Sequence, residues 1–228
     1  MRRFDLGLES VRALNASLHA LAPDTNGTEW QVLNPDGRHA IAAGVDAPVS
    51  IRIDGHAGYY CGGMNKQAEI VVAGNAGVGL AENIMSGSVC IKGDASQSAA
   101  ASGRGGVVII EGNASARCGI SMKGVDIVVK GNVGPMSAFM AQAGTLVVFG
   151  DAGEALGDSL YEARLFVAGR VASLGADCIE KVMTGEDRAA LRAALAKAGC
   201  GDAPMERFRF YGSARTLYHF HVDNAGRY

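Results

Sequence analysis

Along the middle of the chain, hydrophobic positions fall in short alternating runs at a constant interval. The pairs Ile51/Ile53, Ile70/Val72, Val89/Ile91, Val108/Ile110, Ile127/Val129, Leu146/Val148 and Leu165/Val167 stand four and two residues before a glycine. Those glycines are Gly55, Gly74, Gly93, Gly112, Gly131, Gly150 and Gly169, each 19 residues from the next. Period-two alternation of branched aliphatics predicts a short strand with one buried face. The residue after the glycine is often Asn or Asp, as at Asn75, Asp94, Asn113, Asn132 and Asp151. Gly-Asn and Gly-Asp read as turn chemistry, because both residues tolerate positive φ. Seven after each glycine stands Gly or Ala (Gly62, Ala81, Ala100, Gly119, Ala138, Gly157, Ala176), marking a second corner or a tight interior.

Nineteen residues are too few for a strand, a crossover helix and two loops, which need about 30. They fit one turn of a coil whose sides are short strands, each stacked in parallel on the next. The predicted class is mainly β, a single-stranded parallel β-helix of about seven 19-residue rungs. At ~4.8 Å per rung it is about 30–35 Å long. The Asn and Asp column can form a side-chain ladder at one corner. Three regions follow: a cap over 1–48, the coil over 49–182 and a C-terminal helix and arm over 183–228. Open strand edges at both ends need covering. In the N-terminal cap, Val11, Leu14, Leu18 and Leu21 have helical spacing, and Trp30–Leu33 and Arg38–Ala43 read as a hairpin around Asn34-Pro35-Asp36-Gly37. After the coil, Thr184 caps a helix that stops at Gly199. The arm beyond holds Phe208, Phe210, Tyr211, Tyr218, Phe220 and Tyr228, six of the chain's 13 Phe and Tyr. It docks either on its own coil or on another subunit.

Composition sharpens this picture. The chain has 228 residues and 32 glycines, roughly double ordinary usage. The recurring corners absorb most of the excess. A net charge of −2 leaves no electrostatic footprint for nucleic acid. Hydrophobic residues make up 48%, too many for disorder, and five prolines are too few for collagen. No apolar run approaches the ~18 residues of a membrane span, and the first residues lack the apolar core of a secretory signal. A cytoplasmic protein with reduced cysteines is expected.

Candidate chemistry is sparse. The segment Gly74-Asn-Ala-Gly77-Val-Gly79 imitates a dinucleotide loop, but a repeat corner explains all seven copies and a nucleotide site only one. The five cysteines form no CxxC pair, which argues against zinc or iron–sulfur. His219 and His221 flank Phe220 and would share a face of a strand, but no third metal ligand is apparent. Asp54 or Glu82 with Asp177 could be imagined as an acid–base pair. However, the column before the glycine mixes signs (Asp54, Lys92, Glu111, Lys130), as a solvated face does. One outward column is apolar: Val71, Cys90, Ile109, Val128, Val147 and Phe166. Such a stripe is either covered by a terminal segment of the chain or is a subunit interface. The candidate interface residues are therefore Val71, Ile109, Val128, Val147 and Phe166, with Tyr218, His219 and His221 from the arm.

The glycine-rich form aliphatic-x-aliphatic-x-Gly-Asn-Ala-Gly over residues 40–182 resembles the C-terminal β-helix domain of glutamate synthase and the β-helix subunit of formylmethanofuran dehydrogenase. The stretches SQSAAASG (96–103), GNASARCGISMKG (112–124), ALGDSLYE (155–162), SLGADCIE (173–180) and the tail YHFHVDNA (218–225) resemble the stand-alone β-helix subunit of the N-methylglutamate synthase family. The resemblance, with the absence of hexapeptide repeats, implies a right-handed coil. It implies a glutamine-amidotransferase-like partner subunit and an FMN-binding synthase subunit. Together they would make N-methylglutamate from methylamine and glutamate. FMN, and as a further candidate an iron–sulfur cluster, would then sit in partner subunits. This chain would hold no cofactor, no metal and no catalytic residue. The alternatives are the formylmethanofuran dehydrogenase subunit, or a β-helix enzyme acting on polysaccharide or acyl groups. An acyl-transfer enzyme would show hexapeptide rungs, and a polysaccharide enzyme a convergent acid–base cluster. The sequence leaves open self-association and the choice between methylamine and ammonia.

Overall fold

The structure, a computed structural model, describes residues 1–25 and 27–216. Its centre is an eleven-stranded sheet. The strands are β1 (Arg2–Asp5), β2 (Glu29–Leu33), β3 (Ser50–Ile53), β4 (Glu69–Val72), β5 (Ser88–Ile91), β6 (Val107–Ile110), β7 (Lys123–Val129), β8 (Ala143–Val148), β9 (Arg164–Val167), β10 (Cys178–Lys181) and β11 (Arg209–Ser213). Among the described residues two α-helices accompany them, α1 (Val11–His19) and α2 (Gly185–Lys197). From β1 to β9 each strand pairs in parallel with the next. The register carries Ile51 onto Ile70, Val89, Val108, Ile127, Leu146 and Leu165 without a slip. Those side chains point inward and are fully buried. One repeat of 19 residues is therefore one turn of a β-helix, as the alternation predicts.

The second side of each turn is a single bridge. Ala57, Ala76, Ala95, Ala114, Val133, Ala152 and Val171 pair in succession. The third side is not a strand. Residues five, seven and nine after the glycine have positive φ, as in Tyr60/Gly62/Met64, Ser98/Ala100/Ser102 and Met136/Ala138/Met140. A left-handed L-residue costs about 1–2 kcal/mol, and this side repeats it rung after rung. Cross-rung hydrogen bonds offset the cost. Ala81 N–H donates down to the Cys61 carbonyl, while Gly79 N–H donates up to Gln97. The Gly/Ala column is the middle member of this triplet. It is small because it also faces the interior, where Ala81, Ala100 and Ala138 are fully buried.

Both ends differ from expectation. Arg38–Ala43 is not the second strand of a hairpin. Its backbone already follows the turn above, with Gly37 N–H donating to His56 and Ala40 N–H to Tyr59. The chain is thus in the coil from β2 onward, and β1 adds a further parallel strand below it. Helix α1 starts at Ser10, whose hydroxyl accepts from Ala13 N–H, and buries Leu14 and Leu18 in the core of the coil. At the other end β10 does not stack on β9. Strand β11, from the C-terminal arm, lies between them and is antiparallel to both. Tyr211 of β11 is buried in the main core. This part of the arm docks on its own coil. Tyr218, His219 and His221 lie outside the described residues.

Candidate functional site

The repeated corner is built by close approach. Among the seven column glycines only Gly55 has positive φ, and the Asn and Asp after them do not. That corrects the turn-chemistry reading. A Cβ on Gly131 would stand 2.5 Å from Asn113 Oδ1 and 2.7 Å from the Gly112 carbonyl oxygen. The glycine clears space for its neighbour's side chain. That side chain then accepts the next backbone N–H along the column. His56 Nδ1 accepts from Asn75 at 2.9 Å, Asn75 from Asp94 at 2.9 Å and Asp94 from Asn113 at 2.7 Å. Asn113 accepts from Asn132 at 2.9 Å, Asn132 from Asp151 at 2.7 Å and Asp151 from Arg170 at 2.7 Å. The expected ladder exists, running from side chain to backbone. Its two aspartates are never adjacent, which spares the column like-charge repulsion at rung spacing.

The outward face of the sheet carries the remaining polar order. Glu111 accepts from Lys92 at 3.0 Å and Lys130 at 3.1 Å. Those two ammonium groups hold its carboxyl below the usual range. In the mixed-sign column, Asp54 pairs with Arg52 of its own turn, while Lys92, Glu111 and Lys130 form a cross-rung ion triad. Beside it runs the apolar stripe, in register from Val71 through Cys90, Ile109, Val128 and Val147 to Phe166. Helix α2 lies over its upper half. Leu191, Ala194 and Leu195 pack with Val128, Val147 and Phe166, and Phe208 and Phe210 close the cluster. Val128, Val147 and Phe166 are 0% exposed. They are therefore withdrawn from the candidate interface, because the chain's own helix already buries them. Val71, Cys90 and Ile109 stay half-buried.

Helix α2 is pinned at both ends. Thr184 and Asp187 form a reciprocal capping box. Burial works to raise the Asp187 carboxyl, but the Thr184 N–H and hydroxyl and the Arg164 guanidinium together hold it below its ordinary value. Arg164 of β9 reaches Asp187 at 2.9 Å, and Lys197 reaches Asp126 of β7 at 2.5 Å. The helix thus descends from the level of β9 to that of β7 and stops.

The residues weighed for chemistry are kept apart. Asp54 is held by Gln31 and Arg52 near the first turn. Asp177, at the far end, accepts from the Ser213 hydroxyl and from Thr216. Glu82 lies on a third turn, so the imagined acid–base pairs do not form. Among the described residues no three His, Cys, Asp or Glu converge as a metal site. All five cysteines are free thiols. Burial pushes Cys61 and Cys118 up to about 12. The Gly74–Gly79 segment is a repeat corner, with Gly74 lying against Gly55 and Gly77 against Gly58. A cleft of about 220 Å³ at the C-terminal end contains the Arg215–Glu162 and Arg164–Asp187 ion pairs. A second, of about 390 Å³, lies at the foot of the apolar stripe, lined by Glu29, Gln31, Arg52, Glu69 and Val71 among others. No described helix is long and apolar enough to cross a membrane.

Sequence reasoning missed the left-handed side and the insertion of β11. The first had a partial signal, in the Gly/Ala column and in Asn83, Ser102, Ser121 and Ser159; other left-handed positions hold Tyr60, Arg117 and three methionines. The second had one in the alternation of Phe208 and Phe210.

Comparison with known proteins gives one full-length similarity. The chain is 59% identical over 224 residues to Protein GlxC of Rhizobium meliloti (strain 1021), covering 98% of each chain. No family model and no solved structure matches.

Proposed function

The chain belongs to the same family as GlxC, and we propose that it is the non-catalytic β-helix member of a glutamate-synthase-like assembly. Its role there is a rigid spacer between catalytic subunits. In the finer reading, the assembly makes N-methylglutamate from methylamine and glutamate. A glutamine-amidotransferase-like subunit and an FMN-binding synthase subunit supply the chemistry, in the cytoplasm.

The observation that carries this reading is the coil itself. Seven turns of aliphatic-x-aliphatic-x-Gly resemble the β-helix of glutamate synthase, and the structure gives them one unbroken register. Its interior is filled with close-packed aliphatic side chains, which suits a strut. A rigid strut fixes the separation of the bodies attached to it, and fixed separation is what passing a reactive amine between two sites requires.

The test is purification of the tagged chain with its genomic neighbours co-expressed, followed by flavin analysis and an N-methylglutamate assay. Flavin and turnover in the assembly, with neither in this chain alone, are the expected result. Turnover by this chain alone contradicts the reading, as does recovery of molybdopterin-enzyme partners.

A further inference from the structure

We infer that the half-buried lower half of the outward stripe, around Val71, Cys90 and Ile109, seats an amphipathic helix from a partner protein of the assembly, end to end with α2. The inference rests on the assembly proposed above and names the surface that the assembly uses.

The stripe is one column of six apolar side chains in continuous register. Solvated sheet faces place polar residues there. Among the described residues, the chain covers only the upper three. Helix α2 shows what shape the column accepts. It lays Leu191, Ala194 and Leu195, an i, i+3, i+4 triad, on Val128, Val147 and Phe166. It ends at the level of β7, where Lys197 meets Asp126, and Gly199 in a left-handed conformation turns the chain away. The column continues past that point as the same kind of surface. Ile109, Cys90 and Val71 are its next three members, and the 390 Å³ cleft opens beyond Val71. A helix placed there continues an interface already formed once in this molecule.

The rims set the polarity of the partner. Along one side, Lys92 stands beside Cys90 and shares the Glu111 carboxylate with Lys130 of the covered half, offering one ammonium group at the edge of the lower half. On the other side Glu69, exposed, borders the cleft. The fitting helix has aliphatic or small residues at i, i+3 and i+4, a carboxylate toward Lys92 and a base near Glu69.

Cys90 sits in the middle of this surface and reports on it. Thiol alkylation of the wild-type chain, read by mass spectrometry, is compared between the free protein and the assembled complex. Cys200, beside α2, serves as the internal reference. Cys90 is expected to label in the free chain and to slow by about tenfold or more in the complex, with Cys200 unchanged. In parallel, Ile109→Asp is expected to weaken association about tenfold or more while leaving the chain's circular dichroism intact. Equal labelling of Cys90 in the complex overturns the inference. So does protection in the free chain: independent of concentration, it assigns the cover to the chain itself; concentration-dependent, to a second copy. Failure of the complex to form at all contradicts the proposed function instead, so the two outcomes are distinct.

Discussion

At the corner of each turn, a glycine and the side chain of its neighbour one rung away occupy one shared space. Gly131→Ala drives a Cβ into Asn113 Oδ1 and the Gly112 carbonyl. We expect a loss of about 1–3 kcal/mol, the usual cost of overpacking, measurable by urea denaturation. The Asx ladder makes a second prediction with a pH signature. Asn113→Asp keeps an acceptor for Asn132 N–H but places a carboxylate beside Asp94, whose Oδ1 now accepts from Asn113. At neutral pH the variant should lose about 1 kcal/mol to repulsion. The repulsion raises the folded-state pKa of the pair, so the deficit shrinks as pH falls through the carboxylate range. A deficit that does not change with pH contradicts the ladder. The glycine column was legible in the sequence, but its cause was not. Gly-Asn is an ordinary turn dipeptide, and the close approach that excludes a Cβ depends on the rung below, 19 residues away.

Helix α2 was legible nearly to the residue, from Thr184 to Gly199, because its capping box and stop signal are local. What it covers was not, since nothing local says which half of a six-residue stripe a helix will reach. Thr184→Ala removes the N-cap and should cost about 1 kcal/mol. Leu195→Ala opens a cavity under the helix and should cost about 2–4 kcal/mol. Both should raise hydrogen exchange in α2 and over Val128, Val147 and Phe166 before the lower rungs respond. Asp187 gives this element an acid limit. Its folded pKa is depressed, so its contribution is complete above the unfolded value of about 3.9. It is lost as pH falls through the lower, folded value. Exchange in α2 should therefore rise at acid pH, and Asp187→Asn should abolish that step. The insertion of β11 was the element hardest to foresee. Its pairing partners, β9 and β10, are distant in sequence, and only its aromatic alternation marks it as a strand.

For the whole molecule the repeat makes length itself a variable. Removing residues 94–112 deletes one turn of 19 residues and joins Gly93 to Asn113, leaving every remaining strand in register. That chain should fold with the same circular dichroism band shape and unfold cooperatively at a somewhat lower denaturant concentration. Removing residues 94–111 shifts the following strand by one. The aliphatic columns then face solvent, and the protein should aggregate or fail to fold. The coil was legible because its signal is long-range in space yet periodic in sequence. The outward stripe has the same 19-residue period and was legible with it; which half of it α2 covers came from the structure, where α2 stops short of Ile109.

The central claim, that this chain is a strut within a larger enzyme, is tested most directly by the composition of the purified assembly. The tagged chain, isolated from the organism that encodes it, should bring down a flavin-containing synthase subunit and an amidotransferase-like subunit in fixed proportion to itself. Isolated by itself, it should carry no flavin and show no N-methylglutamate formation. Recovery of the chain without those subunits, or turnover by the chain alone, would contradict the account.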